Sequence, residues 1–154
     1  MRRVHRRLRT LAVLEAVNAV FLPTVLLTAL GADRAPTAGL VVAAGALAVS
    51  LVAGSLYWSR RMRGPVSRLW CRAVEGLLGV AGLLAVVAAV LCVVDLGTGD
   101  RLVPLAGLGI ALFTAAEIVN YRFVQISAGG WLLWTRGRVR RPHLATDLRR
   151  TARA

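Results

Sequence analysis

Four long apolar runs decide what this chain can become. They cover about 11–30, 38–58, 71–94 and 102–126, and only short polar links separate them. Runs of about 18 or more apolar residues read as membrane-spanning helices. A helix satisfies its own backbone hydrogen bonds, which hydrocarbon cannot do for it. Of the 154 residues, 57% are hydrophobic but only 6% aromatic, and the bulk is Leu, Val, Ala and Gly, which suits close helix packing in lipid. The pattern predicts an all-α, polytopic membrane protein: a four-transmembrane-helix bundle over 11–126, with a basic head at 1–10 and a basic interfacial tail at 127–154.

Charge sets the expected orientation. The formal net charge is +13, and all twenty basic residues are arginine. Arg2, Arg3, Arg6, Arg7 and Arg9 stand in the head, and Arg60, Arg61, Arg63, Arg68 and Arg72 at and beside the link between runs two and three. Seven more lie in the tail, against one in each of the other two links, Arg34 and Arg101. An excess of arginine marks the cytoplasmic side, so both termini are expected in the cytoplasm, across the cell's inner (plasma) membrane. Strong basicity usually suggests nucleic acid. Here the charge tracks the ends of apolar runs, so anionic lipid headgroups are the expected partner and nucleic acid is not.

The head and first run have the form of a signal peptide, with Ala29-Leu30-Gly31 as a small-residue cleavage site. Glu15 and Asn18 interrupt that run and its length suffices to span, so it is read as a retained helix. Pro23 is expected to bend it or to remove one backbone bond. Pro104 falls in the first turn of the fourth run, where a missing N–H costs little. Gly64-Pro65 breaks the second basic segment, and a short surface helix is expected around 66–70. Gly76, Gly79 and Gly82 recur every three residues, which lays a smooth strip along the third helix for a neighbour.

Cys71 and Cys92 lie on one predicted helix, roughly 31 Å apart along its axis, too far to bridge. The two histidines, His5 and His143, sit in the basic ends. No zinc or haem spacing results, and no metal or cofactor is expected.

The chemistry-bearing residues are polar groups inside the apolar runs, where they are costly without partners and are functional candidates by default. Glu117-Ile118-Val119-Asn120-Tyr121-Arg122 lies in the fourth run, and Glu15-Ala16-Val17-Asn18 in the first. At 1.5 Å per residue, Glu15 lies roughly 6 Å from the Arg-rich side, Asn18 roughly 10 Å, Glu75 roughly 6 Å, Glu117 roughly 13 Å, Asn120 roughly 9 Å and Arg122 roughly 6 Å. Tyr121 and Gln125 fall in the same zone. If the first and fourth helices are antiparallel neighbours, Glu15 meets Asn120 and Asn18 meets Glu117, while Arg122 is level with Glu75. Such contacts also serve as plain helix–helix glue.

The functional expectation is a cytoplasm-facing site with Glu117, Glu15, Glu75 and Tyr121 as catalytic candidates. Asn18, Asn120, Arg122 and Gln125 are the binding candidates. In a low-dielectric site one carboxyl, with Glu117 the deepest, is expected to hold its proton near neutral pH. It would act as a general acid on a lipophilic, isoprenoid-like substrate, as in a cyclisation or isomerisation. Tyr121 would stabilise a developing cation or donate a proton, and Arg122 would hold an anionic headgroup. In layout, four short spans with a glutamate in the first, the chain resembles the small multidrug resistance transporters. That resemblance implies proton-coupled transport as the alternative. A third reading is a non-enzymatic membrane subunit or sensor, with the tail contacting a protein partner or a second copy. Trp131 and Trp134 beside arginines suit a segment in the headgroup layer.

Overall fold

The structure is a computed structural model that describes residues 2–31, 36–98, 101–123 and 143–152. Among these residues there is no strand. The elements are α1 (Arg2–Gly31), α2 (Ala38–Met62), α3 (Arg68–Asp95) with a single 3-10 turn after it, α4 (Leu102–Arg122) and α5 (His143–Ala152). The first four helices are long and apolar enough to cross a membrane. Gln125 and the 131–134 segment lie outside the described residues.

Local signals start and stop the helices. Thr37 Oγ1 accepts from the Leu40 N–H at 3.3 Å and Ser67 Oγ from the Trp70 N–H at 3.4 Å, so each caps a helix start. Gly64, with φ of 129°, makes the reversal between α2 and α3, a conformation that L side chains rarely adopt. α2 runs to Met62, a turn past the expected end at residue 58, and carries Arg60 and Arg61 in its last turn, where cations favour the helix C-terminus. No separate surface helix forms at 66–70: Val66 is buried, Ser67 is the cap, and α3 has begun by Arg68. The basic head is helical as well: α1 starts at Arg2, runs into the first apolar stretch and continues through Pro23.

α2 is the central helix. It packs on α1, α3 and α4, and α3 packs on α4, whereas α1 lies along α2. The buried line of α3 is Cys71, Val74, Leu78, Ala81, Ala85, Ala88 and Cys92. Its alternating three- and four-residue steps are the 3.5-residue repeat of helices that pack at a shallow angle. The large side chains point the other way: Leu83, Val86, Val90 and Val94 are all exposed. Small residues inside and large apolar residues outside is the arrangement that lipid favours.

The glycine strip behaves differently from expectation. An added Cβ on Gly76 or Gly79 would meet nothing within 4 Å, and one on Gly82 would only touch Ile118 Cδ1 at 3.5 Å. The Cys71–Cys92 seam turns Gly76 and Gly79 to the far side of α3. Close helix approach is made instead at the opposite end of the bundle from Arg122. There an added Cβ on Gly39 would lie 2.6 Å from Cys92 Sγ, and one on Gly107 would lie 2.5 Å from it. Both cysteines are free and buried.

Candidate functional site

At the Arg-rich end, α1 presents Ala12, Glu15 and Ala19 toward α2. Ser55 Oγ donates to the Ala12 carbonyl at 3.0 Å, fixing the register of the two helices. The next residue inward, Gly54, provides the seat for the Glu15 carboxyl. An added Cβ there would overlap Glu15 Oε2 and the Tyr121 hydroxyl and come within 2.7 Å of Glu15 Cδ. Trp58, one turn beyond Gly54 on the same face of α2, is buried beneath the carboxyl.

Side chains from two other helices therefore close on one oxygen of Glu15. The Tyr121 hydroxyl of α4 donates to Glu15 Oε1. The Trp58 indole N–H lies 3.2 Å from Glu15 Oε1 and 3.1 Å from the Tyr121 hydroxyl oxygen, shared between them. Glu15 Oε2, in contrast, is buried with no hydrogen-bond partner among the described residues. Leaving a buried polar atom unpaired costs about 1–3 kcal/mol. The two oxygens of one carboxyl thus differ: Oε1 meets two donors, and Oε2 is buried without one among the described residues.

The other candidate residues form a second group. Glu117 lies one turn deeper than Tyr121 on α4, within electrostatic reach of Glu15 and within hydrogen-bond reach of Asn120 on its own helix. The reciprocal Glu15–Asn120 and Asn18–Glu117 exchange does not form. Glu15 Oε1 is instead taken by Tyr121 and Trp58, and α1 packs mainly along α2. Asn18 is half-buried on α1. Arg122 Nη2 donates to Glu75 Oε1 at 2.7 Å, joining α4 to α3. Each side chain of that pair is 37% exposed, so it is worth under about 1 kcal/mol. Glu75 is thus partnered by Arg122, whereas Glu15 is partnered by Tyr121 and Trp58.

A third cluster lies nearer the helix ends. Asp147 Oδ2 of α5 accepts from the Tyr57 hydroxyl at 2.8 Å and from Arg61 Nη1 at 3.0 Å. Arg61 Nη1 also donates to the Tyr57 oxygen at 2.6 Å. The His143 ring meets Trp58 edge-on at 5.9 Å between centroids.

Trp58, Gly54, Arg61 and Asp147 are absent from the site candidates that the sequence suggests. Trp58 reads as an interfacial aromatic when α2 is ended there. The signal that recovers it is the four-residue step from Gly54 to Trp58 at the depth of Glu15. Comparison with protein-family models, curated proteins and solved structures finds no match to this chain.

Proposed function

We propose that this chain is a multi-pass protein of the cell's inner (plasma) membrane in which Glu15 exchanges a proton with a lipophilic substrate in the inner leaflet. The arginine distribution supports cytoplasmic placement of both termini and contact with anionic headgroups at that face. The single observation that carries the chemical reading is the asymmetry of the Glu15 carboxyl. A carboxyl serving only as glue would be expected to satisfy both oxygens. Here Tyr121 and Trp58 stabilise Oε1, and Oε2 has no partner among the described residues.

The reaction class is acid/base chemistry on an isoprenoid-like chain. The protonated carboxyl adds its proton to one carbon of an alkene. The carboxylate left behind is met by the Tyr121 O–H and the Trp58 N–H, and a proton lost from another carbon restores it. Such an isomerisation or cyclisation balances without a co-reactant. Glu117, a second carboxyl close by, completes a pair of the kind used for acid/base work. The Arg122–Glu75 pair, at the same end, would hold an anionic headgroup.

A second reading, proton-coupled transport of a lipophilic molecule, is favoured by the outer position of the helix that carries Glu15. α1 packs mainly along α2 and leaves Val13, Leu14, Val17, Val20 and Phe21 exposed, so a lipophilic molecule would reach this helix from the bundle's outer side. One comparison separates the readings. Cells producing the wild type or Glu15→Gln are extracted for lipids, and their membrane vesicles are assayed for pH-driven uptake of lipophilic compounds. The enzyme reading expects a change in the isoprenoid lipid profile that Glu15→Gln abolishes. The transport reading expects an unchanged profile and a proton-driven flux lost in the variant. Glue alone predicts that both assays are blank and that only thermal stability changes.

A further inference from the structure

We propose that α5 is a displaceable cap on the Arg-rich end of the bundle, latched by Asp147 to Arg61 and Tyr57. A ten-residue helix is too short to persist alone, so α5 owes its form to what it docks on. Leu144 is its anchor: it is 1% exposed and belongs to one buried cluster with Tyr57, Val66, Cys71 and Val74. Leu148, one turn on, packs partly against the same cluster. Between the two leucines Asp147 turns inward and takes donors from Tyr57 at 2.8 Å and Arg61 at 3.0 Å. The opposite face carries Thr146, Arg149 and Arg150, which are exposed.

The cap reaches the polar centre through one ring. His143 packs against Trp58, whose indole N–H holds Glu15 and Tyr121. When α5 is seated, Tyr57 and Trp58 are closed over on the side of the helix ends. When it lifts, that side opens to water. The role in closing the Glu15 centre rests on the proton-exchange reading, whereas the docking of α5 does not.

The two native cysteines supply a test that is independent of Glu15 chemistry. Cys71 lies in the cluster that Leu144 covers, and Cys92 lies at the far end between Gly39 and Gly107. The full-length protein in lipid nanodiscs is treated with a water-soluble, membrane-impermeant maleimide, and each site is followed by peptide mass mapping. Wild-type Cys71 should react slowly. Asp147→Asn and Leu144→Ala should each speed Cys71 labelling about tenfold or more, the change expected when one charge-assisted hydrogen bond or one buried anchor is removed. Cys92 should not change. Equal Cys71 rates in the wild type and both variants would overturn the proposal. So would parallel rises at Cys71 and Cys92, because these would mean that the bundle opens as a whole. Failure of the proton-exchange reading would leave this pattern intact.

Discussion

Glu15 and Gly54 behave as one unit at the residue scale. The glycine is required by the carboxyl seated on it, because a Cβ at position 54 would overlap Glu15 Oε2. Gly54→Ala should therefore destabilise the protein by about 1–3 kcal/mol, the usual cost of overpacking. Thermal unfolding in detergent measures this, and Glu15→Ala in the same chain should recover part of the loss, since contacting residues couple. Additive effects would mean that the two side chains do not meet. Glu15, Tyr121, Glu75 and Arg122 were legible in the sequence because ionisable and phenolic groups stand out in an apolar run. Even the Glu75–Arg122 level followed from depth alone. Trp58 and Gly54 were not legible, because aromatic and small residues have ordinary uses at a helix end and in a helix seam. Only the register of α2 against α1, pinned at Ser55, gives them their roles.

Helix packing decides the element scale. Gly39 and Gly107 both lie against Cys92, so Gly39→Ala or Gly107→Ala forces two helices apart or displaces a buried sulfur. Each should lower stability by about 1–3 kcal/mol. Gly76→Ala and Gly79→Ala should be neutral or slightly stabilising, because nothing lies within 4 Å and alanine favours the helix. Unfolding curves of the four variants settle the matter, and a reversed order would contradict the packing. The existence and number of helices long and apolar enough to span were legible, because each is one long apolar run. Which face of α3 packs was not, because a three-residue glycine repeat and the Cys71–Cys92 seam compete for the same role. The seam wins by placing a small or medium side chain at every contact along the helix. The reciprocal glutamate–asparagine exchange fails because Tyr121 and Trp58, rather than Asn120, take Glu15 Oε1.

For the whole molecule, up-and-down connection gathers the start of α1, the end of α2, the start of α3, the end of α4 and all of α5 at one end. Those segments carry most of the arginines. Proposed orientation and fold agree in this respect: the charge-rich end holds the Glu15 centre, the Arg122–Glu75 pair and the docked α5. Tags at the two termini should both resist protease added to intact cells and both be digested in inverted vesicles. Digestion of either tag in intact cells would contradict cytoplasmic placement of both ends. The docking of α5 was beyond the sequence reading, because a short basic segment after a proline shows no partner until Asp147, Arg61 and Tyr57 are seen together.

The measurement closest to the central claim is the infrared carboxylic-acid band of the purified protein in lipid, followed through a pH titration. A band from Glu15 should titrate, vanish in Glu15→Gln, and shift its midpoint in Tyr121→Phe, which removes the hydroxyl that donates to Oε1. A titrating band that persists unchanged in Glu15→Gln, or no titrating band at all, would contradict proton exchange at this carboxyl.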